Sequence, residues 1–205
     1  MTNVDDRNLA NSRRNCLAEF FTRNYGDLNP HVISNVVHDD PPISIQPVIG
    51  KDCLVLYTIG MSFQPMNAPP EWSQFSLAEL FIQLPLGWDY SDIDNPNRAW
   101  PIEWLQNIAS FPHRQNTWLG GPAMVLGGPD GQGFLSPDNR FSGMLVIDSH
   151  IVYDEKSEIH LYRLMPLYHE EILMDREHGL GELLTAMDRA KISYIVDPDR
   201  QPATL

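Results

Sequence analysis

RAWPIEWLQNIASFPHRQNTWLGG, residues 98 to 121, holds three of the chain's five tryptophans, a proline at each end of an apolar run, and a histidine beside the second proline. Pro101 suits a first helical position, where a missing N–H costs nothing. Ile102, Leu105, Ile108 and Ala109 then share one face, and Pro112 disfavours helical geometry at Phe111. The spacing predicts a helix of about three turns from Trp100 to Phe111. Such a helix is either part of a chemical site around His113 or a scaffold that packs its apolar face on a sheet.

The flanking sequence favours a sheet. Upstream, Leu9, Cys16, Leu17, Phe20, Phe21 and Tyr25 fall on one side at helical spacing, with Asp5 and Asp6 before them and Gly26 after, which predicts an amphipathic first helix. HVISNVVH (31–38), ISIQPVIG (43–50) and CLVLYTIG (53–60) read as strands, with Pro47 placing the middle one at an edge or a bulge. MSFQPMNAPPEWSQF (61–75) is too rich in proline for regular structure. In the SLAELFIQLP strand, Leu80, Ile82 and Leu84 alternate with Glu79, Phe81 and Gln83, predicting burial on one face. GWDYSDIDNPNR forms an acidic loop and GPDGQGFLSPDNR a second loop. SGMLVIDS and EIHLYRLMP are further strands. PLYHEEILMDREHG gives a turn and a short helix, GLGELLTAM a helix with Leu180, Leu183, Leu184 and Met187 inward, and SYIVD a last short strand. Strands in series framed by helices predict an α+β fold. We expect one twisted mixed, largely antiparallel sheet in a single domain over residues 1–197, followed by a flexible tail, 198–205.

Composition narrows the function. Fourteen basic against 27 acidic side chains give a net charge of −13, which repels polyanions and disfavours direct nucleic-acid binding. The same charge suits solubility or the attraction of a basic partner. Cys16 and Cys53 make no disulfide framework, no apolar run has the length of a membrane span, and the N-terminal segment lacks the pattern of a signal peptide. The expectation is a cytoplasmic protein.

Familiar chemical motifs fail one by one. In HEEIL the second zinc-binding histidine of a metalloprotease helix is replaced by Leu173, so His169, His178, Glu170, Glu171 and Asp175 read as a solvated acidic face, with no metal expected. IGMSFQ has Gln64 where a nucleophile elbow needs its second glycine, and Gly50 and Lys51 are followed by Asp52 where a phosphate loop needs Ser or Thr. Neighbouring carboxylates such as Asp92 with Asp94 are too common in an acidic chain to assign acid and base roles. Trp72, Trp88, Trp100, Trp104 and Trp118 form either core or an aromatic protein-binding surface.

Three ordered blocks carry a resemblance: WPIEWLQNIASFPHRQNTWLG; IGMSFQPM followed by AELFIQLP; and YRLMPLYHEEILMDREHGLGELL. Together they resemble the suppressor-of-fused domain family over most of residues 50 to 190. The resemblance implies a mixed sheet flanked by helices, with no catalytic residues and no cofactor. Animal relatives retain a transcription factor in the cytoplasm with the help of a second domain. Bacterial standalone relatives, which this chain matches in size, are regarded as immunity proteins that neutralise toxins. GPAMVLGG here replaces a histidine-containing stretch of many bacterial members, so a metal role for that histidine does not carry over. By resemblance, Trp100, Pro101, Trp104, Leu105, Ile108, Pro112, His113, Trp118 and Gly120 form a structural signature, with Trp118 and Gly120 opening the next strand and His113 bonded to nearby backbone.

The bound peptide of animal relatives pairs near the segment corresponding to residues 60 to 74, which nominates Met61, Ser62, Phe63, Met66 and Trp72 as a protein-binding surface; the alternative is that Met66 and Trp72 close over the core. Asp92 and Asp94, with acidic side chains elsewhere, are expected to steer a basic partner, as would suit a toxin domain that itself binds nucleic acid. An adaptor with no toxin partner, and a hydrolase with an unrecognised site, are the rival classes.

Overall fold

The computed structural model describes residues 4–34, 41–127 and 135–205. Helix α1 (Val4–Asn24) leads into strands β1 (Gly26–Leu28), β2 (Ser44–Gly50) and β3 (Cys53–Ile59). Two short 3₁₀ helices follow, Met61–Phe63 and Pro70–Ser76, then β4 (Ala78–Pro85), α2 (Pro96–Arg114), β5 (Ala123–Gly127), β6 (Phe141–Tyr153), β7 (Glu158–Tyr168), α3 (His169–His178) and α4 (Leu180–Arg189). The strands form one seven-stranded sheet in the order β1-β2-β3-β4-β7-β6-β5. Among the described strands only the β4/β7 pairing is parallel, so the sheet is mixed and largely antiparallel, as expected.

Both sheet faces are covered. On one, Leu54, Leu56, Leu80, Ile82, Leu84, Val146, Tyr162 and Leu164 pack with Trp100, Ile102, Leu105, Ile108 and Ala109 of α2. On the other, Val55, Tyr57, Phe81 and Leu161 meet Leu17 and Phe21 of α1, and Leu145, Met165 and Leu167 meet α3 and α4. The period-two alternation of β4 therefore separates two buried faces rather than a wet and a dry one, which corrects the sequence expectation. Glu79, on the face opposite Leu80, Ile82 and Leu84, has no exposed surface.

Several local predictions change. Helix α2 starts at Pro96, capped by Asn95, whose side chain accepts from Asn97 N at 3.1 Å. Pro101 thus lies inside the helix, not at its start. Pro112 is likewise internal, and the helix runs on to Arg114, with its end closed by Gln115 N on Phe111 O at 3.0 Å and Thr117 N on Pro112 O at 2.8 Å. The local Asn-Pro cap and the burial of both internal prolines hold 19 residues helical despite the missing N–H groups. Trp118 and Gly120 precede the next strand, which opens at Ala123.

Pro47 lies in β2, one strand in from the edge, and is tolerated there for a visible reason. Its carbonyl accepts from Asn29 N at 2.9 Å just where β1 has ended, and the Asn29 carbonyl takes the Gln46 side-chain amide at 2.6 Å in place of a backbone donor. The HVISNVVH strand and the GPDGQGFLSPDNR loop fall partly outside the described residues; of the former, Ile33 makes an isolated bridge to Ile45. SYIVD is reduced to one bridge, Ile195 to Gln83.

The segment expected to be a flexible tail is fastened to α3. Arg200 grips Glu171 through both carboxylate oxygens, at 2.6 and 2.8 Å, and lies over the Tyr168 ring, while Ala203 N donates to Glu171 at 2.8 Å. Glu171 is fully buried, so this pairing supplies the partner that a carboxylate there requires. The supposed acidic face of α3 is therefore interior at that position.

Candidate protein-binding surface

The first 3₁₀ helix is clamped from both sides of the sheet. Gly60 turns the chain with φ of +127°, and a Cβ there would lie 2.4 Å from the Pro42 carbonyl oxygen, so only glycine fits. From the α1 side, Glu79 receives the backbone N–H groups of Gly60 and Ser62 at 3.0 Å each, Ser62 Oγ at 2.7 Å and Thr58 Oγ1 at 2.6 Å. Arg13 donates to the Ser62 carbonyl oxygen and pairs with Asp154 at 2.8 Å. From the α2 side, His113 donates Nε2–H to the Met61 carbonyl oxygen at 3.1 Å. The histidine of the signature thus bonds to backbone, as expected.

Burial pushes the Glu79 carboxyl above its ordinary range, although its four hydrogen bonds offset part of that effect. Asp154 shows the opposite balance: burial raises it, but the bonds from Arg13 and the N–H groups of Lys156 and Ser157 hold it below the ordinary range. The chain Asp154, Arg13, Ser62, Glu79 and Thr58 is a continuous polar network beneath α1. It fixes the backbone from which residues 63 to 72 project.

This arrangement divides the residues nominated from sequence. Met61, Ser62 and Met66 are buried at 0%, 0% and 4% exposure, so they anchor the loop and do not offer it to a partner. Phe63 is half-buried, and Trp72 is exposed at 42%. The Trp72 ring stacks against Trp118 at 6.1 Å and touches Phe75 at 5.9 Å. Asn67 N donates to Thr117 O at 3.0 Å, which ties this segment to the chain after α2. A cavity of 390 Å³ lies alongside, lined by Gln64, Pro65, Met66, Asn67, Pro112, His113 and Asn116.

Asp92 and Asp94 are exposed but do not join this surface. They precede the N-terminus of α2, whereas His113 is at its C-terminus, about 25 Å away along the helix. Asp92 accepts from Asn95 Nδ2 at 3.1 Å, within the turn that leads into the cap. The carboxylates are thus remote from the aromatic patch rather than arrayed around it. Of the structural signature, Trp100, Pro101, Leu105, Ile108 and Pro112 are buried, Trp104 and Trp118 are partly buried against the same core, and Gly120 takes φ of +74°.

The remaining chemical candidates are otherwise engaged. Glu171 holds the C-terminal segment, and Glu170 pairs with Arg140 at 3.4 Å. Among the described residues no three His, Cys, Asp or Glu side chains gather as a metal site. His160 and Asp148 make a close pair at 2.7 Å, but Phe75 lies over the imidazole at 4.6 Å and neither residue lines the cavity beside His113.

A family model described as Suppressor of fused protein (SUFU) matches residues 39–201. The chain belongs to the suppressor of fused family. Among solved SUFU structures, one described as a homologue from Neisseria gonorrhoeae FA 1090 gives a TM-score of 0.63 at 19% identity, covering 96% of this chain and 97% of that one. A chain of the Sufu–Fu complex gives 0.61 at 13% identity over 95% of this chain and 91% of that one. Drosophila Suppressor of Fused gives 0.51 at 15% identity, and this chain spans 42% of its length. The uncharacterized protein UU111 of Ureaplasma parvum serovar 3 is 23% identical over 198 residues, 89% of this chain and 90% of that protein. The TM-scores show that this chain shares the fold of these solved structures. Among the described residues no helix is long and apolar enough to cross a membrane.

Proposed function

We propose that this SUFU-family chain is a non-enzymatic protein-binding module of the cytoplasm, that it engages its partner through the face carrying Trp72, and that this partner is a toxin which it neutralises. The observation that carries the binding face is the exposed Trp72 ring, stacked on Trp118 and mounted on a loop whose interior is pinned by a buried carboxylate. A large aromatic side chain held rigidly before binding loses little entropy on docking, which is what an interface anchor requires. A solved member of the same fold comes from a complex, Sufu–Fu, which supports a binding role. The toxin role draws on the net charge of −13, which favours approach of a basic domain even with Asp92 and Asp94 distant from the anchor.

The test is growth of cells that express the product of the reading frame adjacent to the gene for this chain. Restored growth on co-expression, with a complex recovered between the two purified proteins, is the expected result. A complex that forms without relieving toxicity would favour an adaptor role, and no complex with a toxic neighbour would contradict the proposal.

A further inference from the structure

A second groove lies on the opposite side of the pinned loop, between it and α1. Its volume is 720 Å³, and its lining includes Arg7, Arg13 and Arg14 of α1 together with Pro41, Pro42 and Phe63. Among the described residues no carboxylate contributes to the lining. In a chain with a net charge of −13, three arginines meet around one groove, and two of them are left without a carboxylate among the described residues.

The three arginines differ in what is left for a ligand. Arg13 is buried, and its charge is matched by Asp154, so it forms part of the floor. Arg7 and Arg14 are exposed, and among the described residues neither pairs with a carboxylate. Seven residues apart on a helix, they lie on one stripe about 10 Å from each other along the axis. Arg14 stands over the Phe63 ring at 5.1 Å, which orients its guanidinium toward the apolar part of the groove. Asn11 and Gln64 add neutral hydrogen-bonding groups at the rim.

We infer that this groove binds a short acidic segment of a protein partner, with Arg7 and Arg14 pairing with carboxylates and Phe63, Pro41 and Pro42 receiving an apolar side chain. In an extended peptide, side chains on one side recur about every 7 Å, so carboxylates two or four residues apart bracket the separation of the two arginines along α1. Guanidinium groups take carboxylates in a two-pronged geometry, and the neighbouring apolar surface lowers the local dielectric in which those pairs form. The inference rests on the protein-binding reading above and adds a second contact of defined chemistry, separate from Trp72.

The probe is a random peptide library displayed on phage and selected on the intact protein. Recovered peptides are then synthesised and titrated against the wild type, the double variant Arg7→Glu with Arg14→Glu, the double Arg-to-Lys variant at the same sites, and Trp72→Ala. Enrichment of peptides carrying Asp or Glu beside an apolar residue is expected. Their binding should weaken at least tenfold in the Glu variant, persist in part in the Lys variant, and be unchanged in Trp72→Ala. Enriched peptides without acidic residues, or acidic ones bound equally well by the Glu variant, would overturn the inference. Peptides lost with Trp72→Ala but kept by the Glu variant would also overturn it, while leaving the Trp72 face intact as the binding surface. A library that yields nothing above background overturns the groove as a peptide site, and the toxin experiment still judges the Trp72 face by itself. Sedimentation of the protein alone as a dimer that the Glu variant abolishes would assign the groove to a second copy instead.

Discussion

Replacing Glu79 by alanine removes the acceptor at the centre of the loop clamp. Four donors lose their partner: the N–H groups of Gly60 and Ser62, and the hydroxyls of Ser62 and Thr58. Hydroxyls can rotate, and Thr58 Oγ1 already lies 3.4 Å from the Leu80 carbonyl oxygen, but the two backbone donors cannot move without unmaking the turn. A stranded buried donor costs about 1–3 kcal/mol, so the two together cost about 2–6 kcal/mol. Removing a fully buried carboxylate also removes its desolvation cost, which acts in the other direction, and a net loss of about 3 kcal/mol follows. With a urea m-value of about 2–3 kcal/mol/M, the midpoint should fall by about 1 M, read from tryptophan fluorescence. Glu79→Gln keeps an acceptor for both N–H groups and should lose about 1 kcal/mol. The pH dependence adds a second readout. Burial raises the folded-state pKa of Glu79, so the folded protein binds more protons than the unfolded chain above the ordinary value of about 4.3. Wild-type stability should therefore decline relative to Glu79→Gln as the pH rises through that window. Ala and Gln midpoints both within about 0.3 M of wild type would refute the network as the support of the loop.

Leu105→Ala or Ile108→Ala should each destabilise the fold by about 2–5 kcal/mol through a cavity between α2 and the sheet, and a loss below about 1 kcal/mol at both sites in urea denaturation would contradict the packing described. Arg13→Gln should flatten the acid limb of the stability curve. The folded-state pKa of Asp154 is held below its ordinary value of about 3.9, so its contribution is present above that pH and is lost as the pH falls through the folded value. Identical acid limbs for Arg13→Gln and wild type would show that this pair is not what holds Asp154 ionised.

Periodicity and turn chemistry reveal the sheet strands and the main helices because those signals are local. β3, β4 and α4 follow from runs such as CLVLYTI, AELFIQLP and LGELLTAM, whose apolar spacing is visible without knowing what covers them. The role of Glu79 is not visible, because an alternating strand with one wet face and a strand buried on both faces differ only in what packs above them. A carboxylate amid Ala78, Leu80, Phe81 and Ile82 was the available hint, and it gains meaning only once α1 is placed over that face. The Arg200–Glu171 pair joins residues 29 apart, and nothing in DPDRQPATL itself announces that the segment docks. Likewise, sequence nominates Met61 for the surface and leaves Met66 open between surface and core, and both fill the core under α2. Phe63, Trp72, Arg7 and Arg14 are what that burial leaves outside.

The most direct test of the account is the dissociation rate of the cognate partner from Trp72→Ala, measured beside Asp92→Asn with Asp94→Asn in a salt series, with each variant confirmed to be folded. If Trp72 is the anchor, its loss should cost about 2 kcal/mol, which is a dissociation rate about 30-fold faster. The paired Asp variants should leave dissociation unchanged and slow association only at low salt. Wild-type dissociation from Trp72→Ala would contradict the placement of the interface.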